Sequence, residues 1–449
     1  MKKYWLIIWI LIFAFGAIVR FFQFTSRSPF DWDQNRDYAA VASIVSGKPT
    51  LLGPIAKGDN GFYIGPLYYY LLVPGYIVSK GNPISFPITS ITIDLLGIAL
   101  LIYLAYRRSS ERQVATIIAG IWSISWFCIE NSRVSWNVAL LFSWMAAMYV
   151  FATMRNNTNL RIFCYGLVAG LAWHIHASLL PLSIILPVFF LPQSTSRIKS
   201  YLLFCVGYFV PLIPLLAFDL RHAFFNLNLM LNFVSTQNDL PHSSITSIII
   251  DVIAKLGRNT MGIIGGPLRS NVWVGIAVMM LALWGLFTRR RTTLWASVII
   301  FFNFIFVVAL RDLRFPEYYL AASYLPVLIL LFNLRIKFVI PTLALLLIAF
   351  FNISSYSIAP SPYSLANKIL LTQKVSSLKA SIDARYELSP GREGGIVPLL
   401  QKAGVTINQS ADTKIIFTDK LDGQVTIGSM FATDLIRIGG LRAAIYKVQ

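Results

Sequence analysis

Long apolar segments recur through most of the chain and leave few options for its fold. Up to about residue 355, stretches of roughly 18 to 23 apolar residues alternate with polar connections, and a helix of that length crosses a bilayer core. Only 13% of the 449 residues are charged, whereas soluble domains carry about 25%. The sequence therefore predicts an α-helical polytopic membrane protein. Its first apolar stretch, residues 4–24, is too long for a signal peptide and is expected to remain as a span.

About eleven transmembrane helices are predicted by the usual length rule. They are expected at residues 4–24, 85–106, 114–130, 138–154, 162–175, 178–192, 201–218, 272–288, 294–310, 318–333 and 338–354. Residues 162–192 form one apolar run, too long for one crossing and short for two, so we predict two short helices that meet at the outer face. Residues 66–80 are broken by Pro74-Gly75 and are too short to span, which favours a helix in the outer interface.

Basic residues are divided unequally between the connections. The short connections are rich in Lys and Arg and contain one acid, Glu111, whereas the long connections hold nearly all the remaining acids. By the positive-inside rule the short set faces the cytoplasm, and the long first loop, residues 25–84, faces outside. The net charge of +19 does not indicate nucleic-acid binding, because the basic residues form no single stripe. The three cysteines lie within apolar spans, so no disulfide framework is predicted.

The composition changes after the last apolar segment. Residues 360–449 are soluble in character, with a helical stretch at 365–380 and short β-like runs at 414–417, 425–427 and 444–446. An odd number of spans with a cytoplasmic N-terminus places this small α/β domain outside the cell membrane. We therefore divide the chain into a transmembrane domain, residues 1–355, and an extracytoplasmic domain, residues 360–449.

The first outer loop concentrates carboxylates that membrane anchoring does not require. Its four acids are Asp31, Asp33, Asp37 and Asp59. Apolar residues between positions 38 and 45 recur with helical spacing, and a Gly and a Pro at 47 and 49 indicate where that helix ends. We predict an amphipathic helix that lies on the membrane surface with Asp33 at or near its start. The loop is interpreted as the catalytic segment of the protein.

Several features of the membrane domain occur in a familiar order. An N-terminal span precedes a long outer loop, which opens with an acidic motif before a surface helix and continues into Gly-Phe-Tyr-Ile-Gly-Pro-Leu-Tyr-Tyr-Tyr at 61–70. In this order the chain resembles the GT-C glycosyltransferases, and among them bacterial proteins related to protein O-mannosyltransferases and lipid A aminoarabinose transferases. The resemblance covers residues 1–352 and is most specific between 31 and 70. Weaker similarities occur at 132–137, 218–222 and 314–319.

This resemblance implies an inverting transferase in the cell envelope. Such an enzyme moves a sugar from a polyprenyl-phosphate carrier to a protein, lipid or glycan acceptor on the outer face of the cytoplasmic membrane. The family motif is Asp-Glu, whose aspartate is the proposed base. Here the pair is Asp33-Gln34, so the glutamate that a family-type metal site needs is replaced. Asp31-Trp32-Asp33 has the D-x-D spacing of metal-dependent relatives, so a divalent metal ion stays open as a cofactor, and no set of metal ligands is assigned.

Two carboxylates are the candidates for catalysis. For Asp33 the resemblance implies a general base that takes the proton from an acceptor hydroxyl, and the alternative is a helix N-cap, a favoured place for aspartate. Asp37 follows one turn later, and a nearby like charge can raise the pKa of a carboxylate. The alternative for Asp37 is a partner of Arg36 or a solvated position.

A lipid phosphate as leaving group requires cations beside it. Arg133, Arg221 and Arg314 stand at outer span ends, where a guanidinium can donate two hydrogen bonds to phosphate, and the alternative is contact with ordinary lipid phosphates. Other substrate-binding candidates lie in the first loop or at outer span ends: Asn137, His176, His222, Tyr318, Tyr63 and Tyr69. For the histidines and tyrosines the alternative is an ordinary place at the membrane interface.

Two other classes of function compete with the transferase. A transporter or lipid flippase would place its charged groups within the membrane, and Asp94, inside the second predicted span, is the one residue that favours it. No internal repeat supports this alternative. A non-catalytic assembly factor that binds a partner through its outer domain is the second rival.

The predicted orientation can be tested by labelling single cysteines. With the native cysteines removed, a cysteine placed at Ser410 should react with a membrane-impermeant reagent on intact cells, because the C-terminal domain is predicted to face outside. A cysteine at Ser194, in a predicted cytoplasmic connection, should be protected until the membrane is permeabilised. The reverse pattern would overturn the orientation.

Overall fold

Helices build most of the protein. A computed structural model of the chain describes residues 3–56, 61–154, 158–191, 196–236, 244–266, 268–288, 290–309, 317–333, 347–348, 350–352, 354, 360–419, 426–427 and 430–447. The helices before residue 334 are α1 (Lys3–Phe21), α2 (Trp32–Val45), α3 (Leu67–Val78), α4 (Ser85–Arg107), α5 (Arg112–Ile124), α6 (Trp126–Arg133), α7 (Leu141–Thr153), α8 (Asn159–Gly170), α9 (Leu180–Phe190), α10 (Arg197–Arg221), α11 (Phe225–Thr236), α12 (Ile245–Ile264), α13 (Val272–Phe287), α14 (Arg291–Ala309) and α15 (Tyr324–Asn333).

Several of these helices are long and apolar enough to cross a membrane. Within the described part of the chain α1, α4, α10 and α14 meet this condition singly, and α5 with α6 meets it as a pair. Shorter apolar helices occupy residues 67–78, 137–153, 177–187, 272–287 and 318–333. The protein is therefore a multi-pass membrane protein, as predicted. The number of eleven spans stays a prediction, since most of the last one, 338–354, lies outside the described residues.

One predicted span is bent. Residues 114–130 were expected to form a continuous helix, but α5 and α6 meet at an angle of 66°. Ser125 lies at the break with φ −63° and ψ 116°, and its side chain accepts a hydrogen bond from the amide of Cys128. A serine that caps a new helix in this way offers the backbone an alternative to continuing the old one. The elbow brings α6 toward the end of α1.

The predicted pair of short helices between 162 and 192 is present. Helix α8 ends at Gly170 and α9 begins at Leu180, and two 3-10 turns, Leu171–His174 and Ala177–Leu179, connect them. The predicted surface helix of the first loop corresponds to α2, which ends just before Gly47 at φ 92°. The broken apolar stretch after it forms α3, with Pro74 inside the helix.

Helices α11 and α12 were not predicted. Charged residues at Asp251, Lys255 and Arg258 interrupt the apolar pattern of residues 245–264, so no window there qualifies as a span. Helix α12 is instead amphipathic, and it packs closely on α13 through glycines. A Cβ on Gly257 would lie 1.9 Å from the carbonyl oxygen of Asn271, and one on Gly275 would lie 1.9 Å from that of Ile253. The two backbones are therefore too close for a side chain at either position, and small residues allow membrane helices to approach in this way.

The C-terminal part forms a small α/β unit, as expected. Its helices are α16 (Leu365–Leu378) and α17 (Ile396–Lys402), and its strands are β1 (Ser381–Glu387), β2 (Thr406–Ile407), β3 (Thr413–Thr418), β4 (Thr426–Ile427), β5 (Met430–Phe431), β6 (Asp434–Ile438) and β7 (Leu441–Lys447). The main sheet has the order β2-β1-β3-β7-β6, and β1 is parallel to both its neighbours. Strand β7 pairs antiparallel with β3 and β6. Helices α16 and α17 bury their apolar faces in the same core as this sheet.

This unit is docked on the start of the first loop. Phe30 is fully buried and packs with Leu365 and Leu399 of the C-terminal unit. Two backbone amides of that unit donate to carbonyls just after α1, Ser361 to Ser26 and Leu365 to Ser28, both at 2.9 Å. The C-terminal unit and the first loop therefore lie on the same side of the helical bundle.

Candidate functional site

The acidic cluster of the first loop lies on the first turns of α2. Arg36 donates from Nη1 to Asp33 Oδ1 at 2.8 Å, and from Nε and Nη2 to Asp37 Oδ1 at 2.9 and 2.7 Å. One guanidinium thus bridges the two carboxylates that the sequence marked for catalysis. The interpretation of Asp37 as a partner of Arg36 agrees with these contacts.

The two carboxylates differ in their environment. The side chain of Asp33 is 48% exposed, whereas that of Asp37 is completely buried. Asp37 Oδ2 has no hydrogen-bond partner in the described part of the chain. Burial raises the pKa of Asp37 to about 7, the nearby Asp33 also raises it, and Arg36 opposes the shift. An accessible carboxylate and a buried one that titrates near neutrality are therefore joined through one cation.

Asp33 is not the helix cap. The N-cap of α2 is Asp31, which forms a capping box with Gln34, and the Asp31 amide donates to Gln34 Oε1 at 2.9 Å. The alternative role considered for Asp33 is thus filled two residues earlier. Gln34 also donates from Nε2 to the Ser135 carbonyl at 2.8 Å, which ties α2 to the segment after α6.

A mainly apolar cavity of about 200 Å³ contains several polar side chains in its wall and is connected to this cluster through Tyr318. Trp136 and Tyr318 form part of its wall, with their rings 5.1 Å apart, and the Tyr318 phenol lies within electrostatic range of Asp33. Asp94, Asn131, Ser132, Arg258 and Asn259 contribute polar groups to the same cavity. Tyr318 therefore connects the exposed carboxylate to a recess with one guanidinium and two amides in its wall.

Arg258 and Asn259 were missed by the sequence analysis. They belong to α12, where no element was predicted, so nothing in the local pattern pointed to a cavity. Arg258 Nε donates to the Leu268 carbonyl at 3.2 Å. The signal that could have found them is a polar pair on a helix that is otherwise apolar on its buried face.

Arg133 is used to hold α1. Its guanidinium is buried and donates to the carbonyls of Val19, Arg20 and Phe22 at 2.7, 3.2 and 3.0 Å, and it also contacts Glu130. These carbonyls are at the C-terminal end of α1, where backbone acceptors lack helical partners. The guanidinium of Arg133 is thus occupied by backbone carbonyls and a carboxylate, and phosphate binding by Arg133 stays a prediction.

Asp94 has a partner within the membrane domain. Its Oδ2 accepts from Arg20 Nε at 2.7 Å, and its Oδ1 accepts from Trp122 Nε1 at 2.9 Å. Arg20 also donates to the carbonyls of Gly16, Trp122 and Ser123. A paired intramembrane carboxylate of this kind has a structural explanation, so Asp94 no longer favours a transporter.

The remaining predicted site residues occupy diverse places. Asn137 donates to the Ile175 carbonyl at 2.6 Å, and His176 contacts Tyr318 and Tyr319 with ring centroids 5.3 and 4.8 Å apart. Asn226 binds the backbone of Tyr63 through two hydrogen bonds, and Tyr69 lies within electrostatic range of Arg36 and Asp37.

The candidates after α10 are less enclosed. Arg221 and His222 are exposed at the end of α10, and Arg314 lies outside the described residues. His176 and Tyr318 therefore adjoin the cavity, whereas the described part of the structure does not bring Arg221 and His222 to it.

No cluster of three or more His, Cys, Asp or Glu side chains suited to a metal ion occurs among the described residues. The two carboxylates of Asp31-Trp32-Asp33 pair with different cations, Asp31 with Lys368 and Asp33 with Arg36. Metal dependence stays an open prediction.

Lys368 connects the C-terminal unit to α2. Its side chain is fully buried and donates from Nζ to Asp31 Oδ1 at 3.0 Å and to the carbonyls of Phe30 and Gly394 at 2.6 and 2.8 Å. Trp32 Nε1 donates to Glu393, and the Gly395 amide donates to Asn35 Oδ1 at 3.1 Å. The C-terminal unit thus holds the first turn of α2 in place through these hydrogen bonds.

The fold of the whole chain is similar to that of a solved membrane protein. The structure aligns with the crystal structure of ArnT from Cupriavidus metallidurans bound to undecaprenyl phosphate, over 99% of this chain and 98% of that one, with a TM-score of 0.50 and 11% identity. The apo structure of the same ArnT aligns over 97% of each chain with a TM-score of 0.46 and 12% identity. No family model and no curated protein matches the sequence.

The structural alignment identifies the fold of this chain. The chain is a polytopic membrane protein with the GT-C fold, and the resemblance noted in the sequence is confirmed at that level. The solved structure of ArnT is one to which this fold is similar. The likeness extends over the C-terminal unit, since nearly the whole of both chains is covered.

Replacing Lys368 tests how the C-terminal unit is held. Lys368→Met should lower the melting temperature in detergent clearly, because it leaves two buried carbonyls without a donor, at about 1–3 kcal/mol each. The control is Lys374→Met, an exposed position of the same helix, where surface changes are usually within about 0.5 kcal/mol. Equal melting temperatures of the two variants would contradict the assigned contact.

The raised pKa of Asp37 predicts how stability depends on pH. Because the folded state favours the protonated acid, this residue stabilises the fold fully below its ordinary pKa of 3.8 and loses that contribution as the pH rises through about 7. Asp37→Asn mimics the neutral acid and should flatten the decline in melting temperature across this range. Asp33→Asn, at a half-exposed position, should leave the decline in place. Parallel curves for wild type and Asp37→Asn would refute the shift.

Proposed function

We propose that this chain is a polyprenyl-phosphate-dependent glycosyltransferase acting on the outer face of the cytoplasmic membrane. The observation that carries the proposal is the pair of carboxylates bridged by Arg36, which Tyr318 connects to a cavity with polar groups in its wall. ArnT, which shares the fold, has been crystallised with undecaprenyl phosphate. A polyprenyl-phosphate-linked sugar is accordingly the proposed donor, with a protein, lipid or glycan as acceptor.

Asp33 is the proposed base because its carboxylate is accessible. It takes the proton of an acceptor hydroxyl while the hydroxyl oxygen forms a bond to the anomeric carbon of the sugar. The bond between that carbon and the phosphate oxygen breaks, and its electron pair leaves with the polyprenyl phosphate. Attack opposite the leaving group inverts the anomeric configuration.

Asp37 and Arg36 are proposed to position this base. Asp37 is completely buried and therefore cannot reach an acceptor directly, but it accepts two hydrogen bonds from the guanidinium that also binds Asp33. A change in the charge of Asp37 alters how strongly Arg36 attracts Asp33. Because burial raises the pKa of Asp37 to about 7, the charge that faces Arg36 from this side is expected to change near neutral pH.

The leaving phosphate needs fixed positive charge and amide donors. Arg258, together with Asn131 and Asn259 in the cavity wall, is the proposed set. A cavity of about 200 Å³ suits the sugar and phosphate rather than the lipid tail, which would extend into the membrane. Arg221 and Arg314 stay candidates for lipid contacts at the outer end of the helices, and Arg133 is assigned to the end of α1.

Replacement of Asp33 separates catalysis from structure. Asp33→Asn should reduce the release of polyprenyl phosphate from lipid-linked sugars by at least about a hundredfold, the range of a general base. Its melting temperature should change little, because the side chain is half-exposed and Asp31 caps the helix. The measurement uses purified protein with lipid-linked sugars extracted from host membranes.

The matched control is Asp434→Asn, an exposed carboxylate of β6 in the C-terminal sheet. It removes the same charge far from α2 and should retain full activity. Turnover in Asp33→Asn equal to that of the control would remove Asp33 from the mechanism.

A further inference from the structure

A second polar cavity lies at the opposite end of the helical bundle from the first loop. Its volume is about 330 Å³. Its wall consists of Arg108, Ser110, Glu111, Thr153, Arg290, Arg291, Thr292 and Asn333. Arg108 follows the end of α4, whose other end adjoins the outer loop, and Arg291 begins α14, whose other end leads toward Tyr318. This arginine cavity is therefore at the end of the bundle that the sequence predicts to be cytoplasmic.

The three arginines of the cavity bind neutral acceptors. Arg108 donates to the Thr153 carbonyl at 2.5 Å and to the Ser110 hydroxyl at 3.3 Å. Arg290 donates to Asn333 Oδ1 at 3.2 Å, and Arg291 donates to the Phe190 carbonyl at 2.6 Å. None of the three forms an ion pair with a carboxylate of the described chain, so their charges are not neutralised there.

The one carboxylate in the wall has another contact. Glu111 is buried, and its Oε2 accepts a hydrogen bond from the Tyr149 hydroxyl at 2.9 Å. Among the residues that the structure describes, it forms no ion pair. A further cation, Arg161, lies within electrostatic range of both Arg108 and Arg291. The neighbourhood therefore gathers four guanidinium groups around a single carboxylate.

Two helices also direct their N-termini to the cavity. Helix α5 begins at Arg112, directly after Glu111 and Ser110, and α14 begins at Arg291. Glu111 is the N-cap residue of α5, and neither helix has an acidic residue within its first turn. A helix N-terminus carries partial positive charge and unpaired amides, so the basic side chains gathered there are unfavourable without an anion beyond that one carboxylate.

We propose that the arginine cavity binds a phosphate group. Orientation in the membrane requires basic residues in the connections, but it does not require several of them around one recess beside two helix N-termini. Planar guanidinium groups match phosphate geometry with paired hydrogen bonds, and basic recesses between transmembrane helices take anionic lipid headgroups. The phosphate belongs either to a phospholipid headgroup of the adjoining leaflet or to a soluble phosphate compound.

Ligand-induced stabilisation tests the proposal. The melting temperature of the purified full-length protein is measured in detergent with phosphatidylglycerol, with phosphatidylcholine, and with inorganic phosphate against chloride at equal ionic strength. A ligand that binds the folded state stabilises it and so raises the melting temperature. At a hundredfold excess over Kd the free energy of unfolding rises by about 2.7 kcal/mol. We expect stabilisation by phosphatidylglycerol or phosphate in the wild type, and its loss in Arg108→Gln and Arg291→Gln.

Arg107→Gln is the matched control. Arg107 is adjacent in sequence, exposed and outside the cavity, so this variant loses the same charge from the same connection. It should keep the full stabilisation. Stabilisation by phosphatidylglycerol alone identifies a lipid headgroup, and equal stabilisation by inorganic phosphate identifies a soluble ligand. Equal responses of all the variants, or no response of the wild type, would overturn the proposal.

A charge-preserving change covers the case in which a glutamine variant does not fold. Arg291→Lys keeps the cation but loses the planar fork, so the midpoint concentration for stabilisation should rise by about tenfold, as expected for one lost charge-assisted hydrogen bond. An unchanged midpoint in Arg291→Lys would contradict a phosphate held by Arg291. Sugar transfer is not measured in this experiment, so its outcome is independent of the proposed function.

Discussion

The position of the first loop depends on two buried arginines, one from α1 and one from α6, at the C-terminal end of α1. Arg20 extends from α1 to Asp94 of α4 and to carbonyls of α5, and Arg133 extends from α6 back to the last carbonyls of α1. Most of the surface of α1 faces away from the bundle, since only 17% of its apolar window is buried. Charge-assisted hydrogen bonds, rather than apolar packing alone, therefore fix the point from which α2 and its carboxylates start.

Elements with a distinctive length or periodicity could be predicted from the sequence. Helix α2, helix α3 and the pair α8–α9 were predicted because their apolar patterns have helical spacing or an unusual length. The elbow at Ser125 and helix α12 were not predicted, since a serine cap and a charged amphipathic helix both depend on neighbours distant in the sequence. The same limit applies to Arg133, because a guanidinium near a span end has the same local sequence whether it meets lipid or a helix terminus. The pairing of Asp37 with Arg36 lies within one helix, and so it was among the alternatives, whereas the second contact of Arg36 with Asp33 was not predicted.

Gln34, at the position where the glycosyltransferases that the sequence resembles have glutamate, has a physical explanation in this chain. Gln34 accepts a hydrogen bond from the Asp31 amide and donates another to the Ser135 carbonyl. An ionised glutamate could accept the first but could not donate the second, and it would place a further negative charge beside Asp33. The glutamine thus links the cap of α2 to the segment after α6, and it does so without competing for Arg36.

The contact of Lys368 with Asp31 has a consequence for how the protein is made. Translation proceeds from the N-terminus, so the first loop is synthesised more than three hundred residues before the lysine that holds it. During that interval Asp31, the cap of α2, lacks its contact with Lys368, and Phe30 lacks the apolar residues of the C-terminal unit that bury it. A chain that stops before the C-terminal unit would enter the membrane with its carboxylates on an unsupported helix. The order of synthesis therefore delays assembly of the site until the whole chain is complete.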